Sequence, residues 1–362
     1  MNVAVLCFHT LGGSGVVAGE LGRELSRRGH EVHFISAALP GRLEPKPERI
    51  FLHQVSLEAP PPLGAQAFPV LLAAQLAEVI RTRKIDLIHA HYALPHAAAA
   101  LLARAALGPS APPLVLTLHG SDVPENASEG HWMLLRRLVG EARAVTVPSA
   151  ALAARARERL SDARFEVIPN FVDVERLSPG PARPKGLVLF HASNFRPVKR
   201  PVDLIRIFAR VRQQLPATLV LAGDGPERPR VEEEVRSLGL SDDVRFAGTP
   251  SDLLPLFRAA DLFLLPSASE SFGLAALEAL SCGVPVVGSR TGGLPEVVGD
   301  AGALCEPGDV EGMAVAAVRI LADTAEHARL RQLARDRAVR LFAAPPLLER
   351  WEALYRRLVK EN

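Results

Sequence analysis

The chain has 362 residues, 48% of them hydrophobic, which is enough for two domains of ordinary size with packed interiors. Its 42 basic and 40 acidic residues nearly balance to a formal charge of +2, which argues against a strong field for nucleic acid or an anionic membrane. Cys7, Cys282 and Cys305 show no paired spacing, so we predict buried thiols in a reducing compartment and neither a disulfide framework nor a metal site.

We expect no secretory signal at the start of the chain. Met1 leads directly into an apolar run at residues 3–8, a predicted strand, without a charged leader or a cleavage site. The longest apolar run, residues 97–106, is interrupted by Arg104 and is too short to span a bilayer. These features predict a cytoplasmic protein without integral membrane contact.

A glycine-rich turn at residues 12–15 joins the first strand to an amphipathic helix predicted over 16–28. In such a start, backbone N–H groups can approach a phosphate. Residues 13–18 even fit the dinucleotide fingerprint G-x-G-x-x-A, but the next strand, 31–36, ends in Ser36 where an acid would hold an adenine ribose. A nicotinamide oxidoreductase is therefore disfavoured, while a tight turn without a ligand stays open.

Apolar runs alternate with helical patterns through the first half, which argues for a mainly parallel sheet. We predict strands at 50–55, 85–90, 114–118, 144–147 and 165–168, and helices at 65–83, 132–140 and 150–160. Tyr92 and the segment 119–122 follow strand ends, where open parallel sheets bind ligands. His89, His91 and His96 suggest a metal, but their spacing straddles a strand end and a proline, which does not favour a metal site.

The most linker-like run in the chain is residues 178–186, which is rich in proline and glycine. We place the domain boundary before or within it, assigning residues 1–168 to a first domain and 169–345 to a second. The break at Ala344-Pro345-Pro346 predicts that a final helix, within 346–362, crosses back to the first domain.

The second half of the chain again alternates predicted strands with predicted helices. We predict strands at 187–191, 218–222, 244–247, 262–265 and 284–287, and helices at 202–214, 253–259 and 274–280. Arg196, Lys199 and Arg200 lie beyond the first of these strands at a helix start, which suits a diphosphate or a carboxylate. A solvated basic turn is the alternative. A glycine turn at 291–296 could bring further backbone amides to a phosphate.

The stretch 267–288 combines two carboxylates, a helix start and a strand. Glu270 lies just before a helix whose first N–H groups, at residues 272–274, can bond ligand oxygens. Glu278 lies about two turns further along a helix that is apolar on every side, so we expect a buried helix between other layers. A buried carboxylate needs a partner, which could be an internal arginine or the vicinal hydroxyls of a ligand.

This stretch resembles the Glu-x7-Glu motif of retaining nucleotide-sugar glycosyltransferases, the family that includes sucrose and glycogen synthases. The order of the glycine loop, His119-Gly120, 194–199, 223–226 and 270–278 extends the resemblance over essentially the whole chain. The resemblance implies an α/β protein with two facing Rossmann-like domains, the glycosyltransferase B-type fold, and an active site in the interdomain cleft.

Three segments, residues 12–15, 85–97 and 193–200, resemble more closely the members that open bacillithiol biosynthesis. This likeness implies transfer of N-acetylglucosamine from UDP-N-acetylglucosamine to the hydroxyl of L-malate, with retention at the anomeric carbon and without a cofactor. The chain contains no Asp-x-Asp, which removes the usual divalent-metal clamp and leaves Lys199 to replace it. A related transferase with a cell-surface glycan or lipid acceptor, a UDP-sugar epimerase, and a homodimeric state all stay open.

The resemblance also implies roles for single residues. The catalytic residues would be Lys199, Glu270 and His119, with His119 beside the reacting sugar. The donor would be bound by Gly13, Asn194 and Lys199 at the diphosphate, by Glu270, Phe272, Gly273 and Leu274 at the sugar, and by Glu278 at the ribose. Malate would be held by Ser14, Tyr92, Ser121 and Arg196. Ser121 stands where Thr is common, which keeps a hydroxyl donor.

Overall fold

In a computed structural model of the protein, the structure describes residues 1–10, 12–43, 46–56, 68–124, 126–181 and 186–361. Parts of the predicted linker at 178–186 and of the predicted helix at 65–83 lie outside these residues. The chain divides into two compact units. Met1–Pro169 and Pro345–Asn362 form the first unit, and Asn170–Ala344 form the second.

The first unit is built on a parallel sheet with seven strands among the described residues, in the order β3-β2-β1-β4-β5-β6-β7. The strands are β1 Asn2–Leu6, β2 Glu31–Ser36, β3 Ile50–Gln54, β4 Leu87–His91, β5 Leu114–Thr117, β6 Ala144–Val147 and β7 Phe165–Val167. Every residue of β4, β5 and β6 is buried. Burial on both faces explains why these strands are nearly continuous apolar runs in the sequence.

Six helices cover this sheet within the described ranges. They are α1 Ser14–Arg27, α2 Phe68–Thr82, α3 Ala98–Leu107, α4 Glu129–Glu141, α5 Ala150–Arg157 and the last helix, α13 Ala344–Lys360. Helix α3 was not predicted, because its alanine- and leucine-rich run shows no helical alternation of polar and apolar residues. It packs against α2, and only tertiary contact decides which of its faces is buried.

Helix α13 is tied to the start of the chain through one buried carboxylate. Glu352 Oε1 lies 2.8 Å from His30 Nε2, and Glu352 Oε2 accepts a hydrogen bond from Arg28 Nη1 at 3.1 Å. Further along the helix, the hydroxyl of Tyr355 lies 2.7 Å from His89 Nδ1 of β4. The helix begins with two prolines in its first turn, where their missing N–H groups have no intrahelical acceptor to lose.

The second unit is built on a parallel sheet with six strands among the described residues, in the order β10-β9-β8-β11-β12-β13. The strands are β8 Leu187–Ala192, β9 Ala217–Ala222, β10 Val244–Gly248, β11 Leu262–Leu265, β12 Val286–Ser289 and β13 Gly302–Cys305. Strand β13 was not predicted. It is a short strand at the sheet edge whose residues are all half-buried, so its sequence lacks a continuous bulky apolar run.

The second unit has seven α-helices in the part of the chain that the structure describes. They are α6 Pro201–Gln214, α7 Arg228–Ser237, α8 Leu254–Ala259, α9 Leu274–Ser281, α10 Leu294–Val298, α11 Val310–Ala322 and α12 Thr324–Phe342. Helix α10 was not predicted, because five residues are too few to show a helical period. Helix α9 contacts β11 and β12 and also α12, so the prediction of a buried helix between two layers is confirmed.

In each sheet the strand order reverses beside its first strand, between β1 and β4 in one unit and between β8 and β11 in the other. Open parallel sheets bind ligands beyond the strand ends at such a reversal. The predicted fold class, α/β with two Rossmann-like domains, is confirmed.

No helix among the described residues is long and apolar enough to cross a membrane. All three cysteines are free thiols, but the prediction that all are buried is wrong for Cys305, which is half-buried on the edge strand β13.

Candidate active site

A lysine and a glutamate meet beyond the reversal of the second sheet. Lys199, in the loop after β8, donates a hydrogen bond from Nζ to Glu270 Oε1 at 2.6 Å. Ser267 Oγ donates to the same oxygen at 2.8 Å. The Lys199 side chain is 22% exposed and that of Glu270 only 8%, so the pair is largely removed from water while the cation still reaches the surface. Such a cation can accept a second anionic partner from outside.

Local backbone geometry places Lys199 at this position. Pro197–Lys199 forms a single turn of 3-10 helix, closed by a hydrogen bond from Lys199 N to the Arg196 carbonyl at 2.8 Å. Arg200 then adopts a left-handed conformation with φ 49° and begins α6. The amide of Ala268 donates to the Val198 carbonyl at 2.8 Å, which joins this loop to the one that carries Glu270.

Glycines allow four loops to approach each other at this end of the sheet. A Cβ on Gly223, after β9, would lie 1.7 Å from the Ser193 carbonyl oxygen, and one on Gly292, after β12, would lie 1.8 Å from the Glu270 carbonyl oxygen. Both glycines have positive φ, at 122° and 51°, which other residues rarely adopt. The amide of Gly293 also donates to the Glu270 carbonyl at 2.9 Å. The loop after β8 therefore contacts the loops after β9 and β11, and the loop after β11 contacts the loop after β12.

Helix α9 begins next to this cluster of loops. Its N-cap is Gly273, in the left-handed region with φ 97°, and the N–H groups of residues 272–274 lie at the helix start, where no intrahelical acceptor is available. Glu278 lies on the buried part of the same helix and is 3% exposed. Burial, followed by the charge of Glu278, raises the pKa of the Cys282 thiol to about 12.

In the first unit, the glycine turn after β1 is closely packed at Gly15 and open at Gly13. A Cβ on Gly15 would lie 2.6 Å from the Phe8 carbonyl oxygen, so the chain before the turn folds tightly over the start of α1. Gly13 is the N-cap of α1, is exposed, and has φ 62° with no atom within 4 Å of an added Cβ. Ser14, the first residue of the helix, is half-buried.

Two predicted acceptor residues share a hydrogen bond. The hydroxyl of Tyr92, just after β4, contacts the hydroxyl of Ser121, in the loop after β5. Tyr92 has φ 98°, and its ring stacks on His119 with ring centroids 6.3 Å apart. Asp122 fixes the second loop by accepting the backbone N–H groups of His119 at 3.0 Å and Gly120 at 2.9 Å. Burial raises the pKa of the Asp122 carboxyl to about 6, although these backbone hydrogen bonds oppose the shift.

The first unit contains a group of four neighbouring histidines, His89, His91, His96 and His119. His91 Nδ1 lies 3.1 Å from His119 Nε2. His89, two residues earlier on β4, is bonded at both ring nitrogens, to the Tyr355 hydroxyl and to Thr117 Oγ1, each at 2.7 Å. His96 packs edge-on against Phe8. Among the described residues, no three histidine, cysteine, aspartate or glutamate side chains are arranged to hold a metal ion.

Burial keeps these histidines neutral. It lowers the pKa of His89 and His119 to about 3 and that of His96 to about 4, and it lowers the pKa of His91 well below its ordinary value. Repulsion between neighbouring protonated rings is a secondary cause for His89, His91 and His119. Near neutral pH the group therefore consists of uncharged hydrogen-bonding rings.

Acid should destabilise the first unit through these four histidines. Their folded pKa values lie below the unfolded value of about 6.5, so between the two the unfolded chain binds protons that the folded chain does not. Their contribution to stability is complete above about pH 6.5 and is lost as the pH falls toward the folded values. Asp122 acts in the opposite direction, because its raised pKa favours the folded state as the pH falls, but it is one group against these four histidines and against His33 and His53, whose pKa burial also lowers.

We expect the free energy of unfolding to fall between about pH 7 and about pH 5, with uptake of about two to four protons. Urea unfolding as a function of pH measures this slope, and hydrogen exchange assigns it to each unit. The second unit is an internal comparison, because His191 is its one histidine, among the described residues, whose pKa burial lowers, to about 4. Equal loss of protection in both units would contradict the prediction.

The structure groups the predicted site residues within each unit. Beyond the second sheet lie Asn194, Arg196, Lys199, Glu270, Phe272, Gly273 and Leu274, with Glu278 further along α9. At the corresponding end of the first sheet lie Gly13, Ser14, Tyr92, His119 and Ser121. Asn194, Arg196 and Ser121 are exposed, so their side chains can reach a ligand.

Three polar neighbours of the predicted residues were missed as site residues: Ser267, which bonds Glu270; His91, which bonds His119; and Asp122, which holds the His119 loop. Ser267 and Asp122 lie three residues from their partners, so local spacing could have suggested them. His91 is 28 residues from His119, and no local pattern indicates that contact.

The chain matches two protein families in succession. Residues 11–176 match the family Glycosyltransferase Family 4, and residues 175–337 match the family Glycosyl transferases group 1. The change from one match to the other falls close to the change from the first unit to the second at Asn170.

Two relatives are similar over most of their length. The N-acetyl-alpha-D-glucosaminyl L-malate synthase of Bacillus anthracis is 35% identical, in an alignment that covers 100% of this chain and 98% of the relative. A D-inositol 3-phosphate glycosyltransferase of Salinispora arenicola is 33% identical, with 93% of this chain and 88% of the relative covered.

Solved structures share the fold. The sucrose-phosphate synthase of Thermosynechococcus elongatus superposes with a TM-score of 0.82 at 23% identity and is covered completely, as is this chain. HepE of Anabaena, solved in complex with UDP-glucose, superposes with a TM-score of 0.80 at 25% identity, covering 98% of this chain and 99% of its own.

Proposed function

Because the chain belongs to the group 1 glycosyltransferases, we propose that it transfers N-acetylglucosamine from UDP to the hydroxyl of L-malate, the first step of bacillithiol biosynthesis. Membership confirms the resemblance seen in the sequence. The choice of substrates is supported by the Bacillus anthracis relative, whose name states both groups and which aligns with the whole of this chain.

The observation that carries the proposal is the Lys199–Glu270 pair beyond the reversal of the second sheet. In glycosyl transfer from UDP the leaving group is a diphosphate, and a fixed cation stabilises the negative charge that develops on it. We assign Lys199, Asn194 and the backbone of Gly13 to the diphosphate, and Glu270 to the sugar hydroxyls. HepE, which binds UDP-glucose and has the same fold, supports a nucleotide sugar as the donor.

The helix that follows Glu270 completes the donor site. Its first N–H groups, at residues 272–274, can donate to oxygens of the sugar or of the phosphate nearest to it. Glu278 is assigned to the ribose, since a carboxylate can accept hydrogen bonds from two vicinal hydroxyls. In this proposal, the neutral ring of His119 lies beside the transferred sugar.

Malate carries two carboxylates, so its site needs several hydrogen-bond donors. We assign Ser14, at the start of α1, together with the bonded hydroxyls of Tyr92 and Ser121, to the carboxylates. Arg196, in the second unit, has an exposed guanidinium of the kind that binds carboxylates in a bidentate manner.

We also propose retention at the anomeric carbon, catalysis without a metal ion, and a reducing cytoplasmic setting that suits three free thiols. The test is to incubate the purified protein with UDP-N-acetylglucosamine and L-malate and to follow UDP release. The anomeric proton coupling in the product reports retention, and EDTA should leave the rate unchanged. Absence of UDP release would overturn the proposal.

One other acceptor has specific support. Relatives named D-inositol 3-phosphate glycosyltransferase align with most of the chain, so inositol 3-phosphate is the second candidate. Parallel assays with malate, with inositol 3-phosphate and with no acceptor separate the alternatives. Release of UDP with inositol 3-phosphate alone would favour the second acceptor. Conversion of the donor to its epimer without an acceptor would indicate an epimerase.

Tyr92→Phe and Ser121→Ala should weaken malate binding selectively. Each removes a hydroxyl that we assign to a carboxylate, and a hydrogen bond to a charged group contributes about 1.5–3 kcal/mol, which corresponds to a KM for malate raised about tenfold to a hundredfold. The affinity for UDP, measured by calorimetry, should stay unchanged. Ser128→Ala is the matched control, because the Ser128 hydroxyl caps α4 and is assigned to no substrate. An unchanged KM for malate in both site variants would contradict the assignment.

A further inference from the structure

We propose that His91 is a positioning residue that fixes His119 as its Nδ1–H tautomer, so that His119 presents a hydrogen-bond donor to the substrate and not a base. This inference deepens the proposed function and rests on it in one respect, the contact of His119 with the transferred sugar. It starts from a hydrogen bond between two neutral imidazole rings.

The two rings share a single hydrogen bond. His91 Nδ1 and His119 Nε2 are 3.1 Å apart, and the rings lie 26° from parallel. A neutral imidazole has one N–H and one bare nitrogen, so one of these two rings donates and the other accepts. The choice of donor decides which nitrogen of His119 carries the proton.

The surroundings of His91 favour His91 as the donor. Its other nitrogen, Nε2, is buried and has no hydrogen-bond partner among the described residues. If His119 donated, His91 would carry its proton on Nε2, which would leave an N–H group buried without an acceptor. If His91 donates from Nδ1, its Nε2 carries a lone pair without a hydrogen-bond donor. Buried N–H groups without an acceptor are rarer in proteins than buried acceptors without a donor, so this arrangement is favoured. His119 then accepts at Nε2 and carries its proton on Nδ1.

The neighbouring ring cannot supply the missing partner of His91. The His89 ring lies next to the His91 ring, tilted by 35° with ring centroids 4.1 Å apart, but both of its nitrogens are already bonded, to Tyr355 and to Thr117. Thr117 Oγ1 is bonded in turn to Thr146 Oγ1 at 2.6 Å. The fully buried strand β4 holds His91, so the donor is in place before any substrate binds.

The ring of His119 lies next to Tyr92, one of the proposed acceptor residues. The ring is partly exposed and stacks on Tyr92, and among the described residues its Nδ1 has no protein partner. Burial lowers the pKa of His119 to about 3, so the ring stays neutral near physiological pH. With Nδ1 protonated, His119 can donate to a sugar oxygen but cannot accept the proton of the malate hydroxyl, so proton removal falls to another group, such as the leaving phosphate.

Ring-nitrogen NMR tests the tautomer directly. In the full-length protein with 15N-labelled histidine, the His119 signals are assigned by comparison with His119→Gln. We expect a protonated Nδ1 and a bare Nε2 in the wild type. His91→Leu removes the donor to Nε2, so the tautomer of His119 is no longer fixed, and the Nε2–H form, which a free histidine side chain prefers, should become populated. The kcat for sugar transfer should fall about tenfold to a hundredfold, as when other groups that orient functional histidines are removed, with the affinity for UDP unchanged.

Two further variants separate positioning from packing. His91→Asn keeps an N–H donor near the position of Nδ1, so it should restore the Nδ1–H signal and most of kcat. Thr146→Val removes a buried hydrogen bond that does not reach His119, so it should lower Tm while leaving the tautomer and kcat unchanged.

A wild-type His119 with Nε2 protonated, or His119 ring shifts unchanged in His91→Leu, would overturn the inference. The tautomer is measured without substrate, so a protein that fails to glycosylate malate would overturn the proposed function and leave this assignment standing.

Discussion

Replacing Lys199 with alanine is expected to lower kcat for glycosyl transfer by about 10²- to 10³-fold, the range found when one fixed group that stabilises developing negative charge is removed. The Nζ of Lys199 is held 2.6 Å from Glu270 in a loop joined to its neighbours, so the cation is in place before the donor binds. In this proposal no metal ion takes part, so no metal charge at the diphosphate compensates for its loss.

The same change should also affect stability, because it leaves the carboxylate of Glu270 largely buried, with Ser267 as its remaining side-chain donor among the described residues. An unpaired charge in such a place costs several kcal/mol, and we expect the free energy of unfolding to fall by about 2–3 kcal/mol. Adding Glu270→Gln to Lys199→Ala should recover much of this stability without recovering activity. Urea unfolding and UDP-release kinetics measure the two effects separately.

Lys360→Ala is the matched control, since this lysine is exposed at the end of α13. It should change neither kcat nor stability. A Lys199→Ala protein that keeps kcat within about threefold of the wild type would contradict the assignment of Lys199 to the leaving group.

The second large effect is expected for Gly292→Ala. The added methyl would lie 1.8 Å from the carbonyl oxygen of Glu270, so the loop after β12 and the loop that carries Glu270 must separate. This movement would also disturb the hydrogen bond from Gly293 N to the Glu270 carbonyl. We expect kcat/KM for the donor to fall at least about a hundredfold, because a displacement of about 1 Å at a positioned group has effects of this size.

Gly239→Ala separates this clash from backbone strain. Gly239 also has positive φ, at 67°, but no atom lies within 4 Å of an added Cβ. Its substitution should cost about 1–2 kcal/mol of stability from the left-handed backbone alone and should leave kcat/KM unchanged. Thermal unfolding and donor kinetics of both variants provide the comparison. Equal kinetic effects of the two substitutions would contradict a specific role for the close approach at Gly292.

Much of the architecture is visible in the sequence. Buried parallel strands such as β5 and β6 are short apolar runs, and amphipathic helices such as α1 and α6 show a clear polar face. These signals are local, since the residues that determine each element are neighbours in the chain. Where the local signal is weak, in the uniformly apolar α3 and in the half-buried edge strand β13, the element was missed.

The candidate site likewise combines features that the sequence predicts with contacts that only the fold creates. The sequence alone indicated that Lys199 and Glu270 follow strand ends and that Glu278 lies on a buried helix, because strand ends, glycine turns and helix starts are local features. Only the tertiary structure decided that Lys199 and Glu270, 71 residues apart, share a hydrogen bond, and that His91 meets His119. Strand order and register determine which loops come together at the end of a sheet, and these depend on packing of the whole unit, which no single segment of the chain specifies.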